Sequence, residues 1–117
     1  IPEGVTSIGE SAFFDCSNLT SIDIPEGVTS IGVYVFGKCS SLTSINIPEG
    51  VTSIEHSAFR DCSSLTSIKI PGGVTNIGDY AFENCTNLDV VIDNSEDNVK
   101  VGDDAFKDCK SVTWLKD

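Results

Sequence analysis

The chain has 117 residues, 39% of them hydrophobic and 21% charged, with 18 Asp plus Glu against 7 Lys plus Arg and a formal net charge of −11. That length fits one domain, the acidity works against a phosphate-backbone partner, and no apolar run reaches the ~20 residues of a membrane-spanning helix. The chain opens inside its own repeating phrase, contains no Met and shows no charged start followed by an apolar stretch, so it reads as a fragment of a longer protein.

Ile1–Ile8, IPEGVTSI, returns unchanged at Ile24–Ile31 and Ile47–Ile54, and as IPGGVTNI at Ile70–Ile77. Phe13, Phe36, Phe59, Phe82 and Phe106 each stand three residues before Cys16, Cys39, Cys62, Cys85 and Cys109, with cysteine spacings of 23, 23, 23 and 24. Residues 1–23 and 47–69 agree at 18 of 23 positions. The units fall at about 1–23, 24–46, 47–69, 70–93 and 94–117, as one repeat domain. A 23-residue unit cannot enclose a core alone, so its apolar set must face the next copy and the units must stack as a solenoid.

In chain order, Ser11–Cys16 predicts a short connector with one helical or 3₁₀ turn. Leu19-x-x-Ile22-x-Ile24 predicts a strand with Ile22 and Ile24 inward and Ser21 and Asp23 on the other face. Pro25 ends the strand for want of an N–H, and Gly27 turns the corner. Val28–Ile31 is short and β-branched, which predicts a second extended segment. In the fifth unit Asp93–Asn98, DNSEDN, replaces the expected I-P-E-G-V with one extra residue, and the strand phrase is expected at Val112-x-x-Leu115-x-Asp117, where an inward Asp117 would end the core.

These phrases resemble the BspA-type (Treponema-like) leucine-rich repeats, L-x-x-I-x-I-P-x-x-V-x-x-I-G-x-x-A-F-x-x-C, over Ile1 to about Val112. The resemblance implies a curved right-handed superhelix with a parallel β-sheet on its concave side and short extended or 3₁₀ segments on its convex side. It also implies proteins of bacterial surfaces and of some parasitic protists that act in adhesion or host-protein binding.

The five cysteines occupy one slot in successive units, so they are expected as a buried column of thiols rather than disulfides or a zinc site. His56, the single histidine, takes the outward slot of Glu10, with no repeated nucleophile beside it. Glu3, Glu26 and Glu49 predict a solvated acidic edge. Asp93, Ser95, Asp97 and Asp104 fall at positions one, three, five and twelve of a loop that echoes a calcium-binding loop, though position twelve lacks the usual Glu. On the concave face two columns are expected: Ser21, Ser44, Ser67, Val90 and Trp114, beside Asp23, Asn46, Lys69, Ile92 and Lys116. The divergent members make Asp23, Asn46, Lys69, Val90, Ile92, Trp114 and Lys116 the candidate binding residues, with Trp114 the hot-spot type.

The sequence thus predicts a non-catalytic interaction or adhesion module of a surface or secreted protein, taking a host or matrix protein or a glycan. It predicts no cofactor, no nucleic acid and no membrane insertion. End-to-end self-association through uncapped repeats is also expected. The competing expectation is a rigid spacer with no ligand of its own, which near-identical units would suit.

Overall fold

From the second unit on, the pair after Gly-Val-Thr (or its fifth-unit equivalent), a polar residue followed by a β-branched one, forms a two-residue strand that bonds to its copies in neighbouring coils. In the computed structural model, which describes residues 1–116, these are β1 (Ser30–Ile31), β2 (Ser53–Ile54), β4 (Asn76–Ile77) and β6 (Lys100–Val101). They pair in parallel in the order β1-β2-β4-β6, with Ile31, Ile54, Ile77 and Val101 in register. A second parallel sheet joins β3 (Ser67–Ile70), β5 (Asp89–Ser95) and β7 (Ser111–Lys116) in the order β3-β5-β7. This is the expected parallel solenoid, with its longer sheet on the side predicted to be concave.

The equivalent segments of the first two coils are not regular strands; the Thr43 N–H donates to the Thr20 carbonyl at 3.1 Å between them. At the corners, the Val28, Val51 and Val74 N–H groups donate back to Pro25, Pro48 and Pro71. At the corner glycines only Gly4 takes a positive φ (92°); a Cβ on Gly73 would crowd Glu49 O at 3.3 Å, while one on Gly27 would meet Val5 O at an ordinary 3.4 Å.

The connector from residue 9 to residue 16 is not a helical turn. It is a run of i→i+3 turns (Ala12 to Gly9, Phe14 to Ser11, Cys16 to Phe13) interrupted by left-handed residues four apart. Ser11, Tyr34, Ser57, Tyr80 and Asp104 hold the first such slot, and Asp15, Lys38, Asp61, Asn84 and Asp108 the second, with φ from 53° to 67°. Asp and Asn tolerate this region best, which fits the second slot; the two tyrosines are bulkier than the region favours. The bends let alternate N–H groups reach the following coil: Ser11, Phe13 and Asp15 donate to Val33, Val35 and Gly37, and Tyr34, Phe36 and Lys38 donate to His56, Ala58 and Arg60. Between the β1-side strands the bonds run both ways, as parallel pairing requires; just past them Glu55 and Gly78 donate back to Ile31 and Ile54.

Inside, the coils stack like on like. Phe13, Phe36, Phe59, Phe82 and Phe106 form a column of near-parallel rings with centroids 5.6, 5.4, 5.1 and 5.8 Å apart. Each such pair contributes about 0.5–1.5 kcal/mol beyond its buried area. Val28, Ile31, Leu42, Val51, Ile54, Leu65, Val74 and Leu88 are fully buried around it. Ile8, Phe13, Cys16 and Leu19 of the first described coil are half-buried and pack on this core from one side.

Candidate binding surfaces

The longer sheet turns its polar positions outward. Ser21, Ser44, Ser67, Asp23, Asn46, Lys69 and Val91 line a shallow groove of about 470 Å³ across the first four coils. Strand register sets which residues reach it. Asp89 is opposite Ser67 on one side and Ser111 on the other, and Val91 is opposite Lys69 and Thr113. The outward columns are therefore Ser21, Ser44, Ser67, Asp89, Ser111 and Asp23, Asn46, Lys69, Val91, Thr113.

This corrects the expected columns from the fourth coil on. Val90 is opposite Ile68 and Val112, and Ile92 is opposite Ile70 and Trp114. Val90 and Ile92 are fully buried, and Trp114 is half-buried against the core. The cause is a one-residue loss: Leu65 to Ile68 is three steps, but Leu88 to Val90 is two. Because side chains alternate, a slip of one residue exchanges inside for outside. The fifth coil differs as well, since Val112 and Trp114 take the inward slots and Leu115 is exposed; Asp117 lies outside the described residues. Lys116 is not in the groove. It is opposite Ser95 beyond a bulge, with its Nζ 3.5 Å from an Asp93 carboxylate oxygen. The residue missed at the groove is Val91, whose signal was the period-two pair Val90 and Ile92 on either side of it.

The four residues of the expected calcium loop are spread over different elements. β5 runs on to Ser95, and a 3₁₀ turn, Glu96–Asn98, follows. Ser95 is buried and its Oγ accepts from the Asp97 N–H at 3.2 Å, while Asn94 Oδ1 accepts from Ser95 N–H and from Asn98 Nδ2. Asp93 faces Lys116, and Asp104 stands in a left-handed slot of the connector. Among the described residues no three His, Cys, Asp or Glu side chains gather in a way that could hold a metal.

The cysteines form the expected column, with Cys39, Cys62 and Cys85 buried, Cys16 and Cys109 half-buried, and all five free. Their role is more specific than filling space. Each Sγ–H from the second coil on donates to a phenylalanine carbonyl of the previous coil: Cys39 to Phe13, Cys62 to Phe36, Cys85 to Phe59 and Cys109 to Phe82, at 3.0–3.2 Å. Burial pushes the Cys39 thiol up from 9.0 to about 11 and the Cys109 thiol up to about 12. The neighbouring Cys85 thiol, and burial after it, push Cys62 up as well. These thiols stay protonated, as donors must, and a protonated thiol is a poor nucleophile or metal ligand.

His56 is exposed, as expected, and lies between the rings of Tyr34 and Tyr80. Its ring neighbours are aromatic on both sides.

A stack of short parallel strands with leucine and isoleucine at the inward slots defines a leucine-rich-repeat solenoid. The chain belongs to the family described as the BspA type leucine rich repeat region (6 copies), which matches residues 1–113. Among solved structures it is similar to a T. pallidum leucine rich repeat protein, with 34% identity and a TM-score of 0.83 over 92% of this chain and 51% of that one. It is similar to a leucine-rich repeat protein from Bacteroides ovatus, with 33% identity and a TM-score of 0.79 over 96% of this chain and 36% of that one. A leucine rich cell surface protein from Faecalibacterium prausnitzii is 36% identical, with a TM-score of 0.65 over 75% of this chain and 29% of that one. The chain thus spans about half or less of each of these proteins. No curated protein sequence matches it.

Proposed function

We propose that the chain is a non-catalytic interaction module of a longer cell-surface or secreted protein, and that it takes a protein partner in the groove of the longer sheet. The observation that carries this is where the copies differ. Within otherwise near-identical coils the central outward column changes at every step, through Asp23, Asn46, Lys69, Val91 and Thr113. A column that served only folding would have no reason to alternate an acid, an amide and a base. Solenoids use such faces for binding, and one of the similar structures is named as a cell surface protein. No described helix is long and apolar enough to cross a membrane.

The test is binding to a panel of extracellular-matrix proteins. Asp23→Asn and Lys69→Asn install the residue that Asn46 already provides in this column, so the fold should hold. The expected result is at least a tenfold loss of affinity from either change. Unchanged binding in both variants would refute the groove. Substituting Trp114 and Ile92 would not serve as a test, because both belong to the inward column. The second reading, a rigid spacer, is favoured by the agreement of residues 1–23 and 47–69 at 18 of 23 positions. It predicts no binding by any variant.

A further inference from the structure

Four rings outside the repeated phrase meet on the connector side of the solenoid. Phe14 follows the stacked Phe13, Tyr34 and Tyr80 hold the slot of Ser11 and Ser57, and His56 holds the slot of Glu10. Repetition therefore did not bring them together. Phe14 and Tyr34 meet edge to face with centroids 5.5 Å apart; Tyr34 and His56 are 5.4 Å apart, and His56 and Tyr80 6.0 Å. Phe14 is 39% exposed, His56 is exposed, and the tyrosines are half-buried.

The second coil departs from the phrase most sharply at this place. Gly37 stands where the other coils have Phe14, Arg60, Glu83 and Lys107. A Cβ there would lie 3.0 Å from Phe14 Cδ1 and 3.2 Å from Tyr34 Cδ1, so both rings rest on its backbone. Lys38 stands where the others have Asp15, Asp61, Asn84 and Asp108. Its Nζ is 5.9 Å from the Phe14 centroid. Phe14, Tyr34, Gly37, Lys38, Arg60 and Asp61 line a groove of about 420 Å³.

The charges around this groove are unequal in availability. Arg60 covers Tyr80 at 5.2 Å and its Nε is 2.7 Å from Glu83. Asp61 accepts a hydrogen bond from Asn84 at 3.0 Å. Lys38 makes no ion pair among the described residues. One uncommitted cation therefore sits beside a cluster of exposed rings on a chain whose net charge is −11.

We infer that this groove binds a glycan carrying a carboxylated sugar, with pyranose faces against Phe14 and Tyr34 and the carboxylate at Lys38. A pyranose ring has an apolar C–H face that suits an aromatic surface and a rim of hydroxyls that suits Ser11, Asp61 and the tyrosine O–H. Only Phe14 and Tyr34 of the four rings line the groove, and they stand at 90° to each other, so they wall it on two sides and each offers a face to a different sugar residue. An extended peptide is a worse fit. The backbone N–H groups of Tyr34, Phe36 and Lys38 are already bonded to the next coil, so no free strand edge is offered here. Lys38 selects for the carboxylate, because its ammonium bonds a charged acceptor more strongly than a neutral hydroxyl.

The test is calorimetric titration of the chain with a β-linked gluco-oligosaccharide ending in glucuronate and with its neutral glucose-ended counterpart. Tyr34→Ser and Lys38→Asp each install a residue that other coils carry at the same slot, and Asp suits the left-handed backbone at Lys38, so both variants keep the fold. The glucuronate-ended probe is expected to bind the native chain at least tenfold more tightly than the neutral one. Lys38→Asp should remove that preference, Tyr34→Ser should abolish binding of both, and Lys69→Asn in the other groove should change neither. The inference is overturned if neither probe binds, if Tyr34→Ser binds as the native chain does, or if Lys69→Asn is the change that weakens binding.

Discussion

Residues 1–70 and 71–116 build the same coil in different ways. The first stretch repeats its phrase almost letter for letter. The second shortens the approach to β5 by one residue and lengthens the following corner by two, since Ile70 to Ile77 is seven steps and Ile92 to Val101 is nine. Yet the longest strands, β5 and β7, lie in the edited stretch. What the two stretches share is the set of inward slots and the coil-to-coil bonds, so those, rather than the phrase, specify the fold.

The strongest way to break that comparison is through the ring column. Phe59 is stacked between Phe36 and Phe82, and Phe59→Ala should cost about 3–5 kcal/mol. The same change at half-buried Phe13 should cost clearly less, as read from urea unfolding midpoints. A close second is backbone contact between coils. A Cβ at Gly78 would lie 2.5 Å from His56 N, whereas one at Gly9 meets nothing within 4 Å. Gly78→Ala should therefore lose about 1–3 kcal/mol by crowding, and Gly9→Ala should be neutral or slightly stabilising by restricting the unfolded chain.

The thiols give a smaller effect, and one that depends on pH. Cys39 and Cys109 titrate at about 11 and about 12 in the folded chain, against 9.0 when unfolded. The folded state therefore holds protons that the unfolded state releases first. Stability is full below pH 9 and falls as pH rises toward 11 and 12, so unfolding midpoints measured from pH 7 to 11 should drop above 9. Replacing Cys62 with Ala removes its bond to Phe36 O and should cost about 1 kcal/mol from that bond, plus a small cavity cost. Smallest of all, Asp93→Asn should change stability by no more than about 0.5 kcal/mol, because its pairing with Lys116 is exposed. Millimolar calcium should not move the thermal midpoint, since the side chains at 94–98 close the loop on themselves.

Legibility in the sequence followed physical cause. Ile31, Phe36, Cys39 and Leu42 were readable as core because each recurs at the same offset and can only face its copy. Val90 and Ile92 were misplaced because counting offsets from Leu88 assumes that strand and turn lengths stay fixed, and a lost residue reverses every side chain after it. The left-handed connector slots were hidden because Ser, Tyr and Asp fill them instead of glycine. Tyr34, Phe14 and His56 come from three different slots, so no column revealed that they meet. The cysteines were placed correctly, but their donation to phenylalanine carbonyls depends on which way the Sγ–H points, and spacing alone cannot show that.

The connector's hydrogen bonds have a further consequence. There each coil donates backbone N–H groups forward, to the coil that follows it in the chain, and offers carbonyls backward. That side of every cross-section is thus plug on one face and socket on the other. A coil offered in the chain's own direction brings carbonyls to waiting N–H groups. One offered upside down sets donor against donor along the connector.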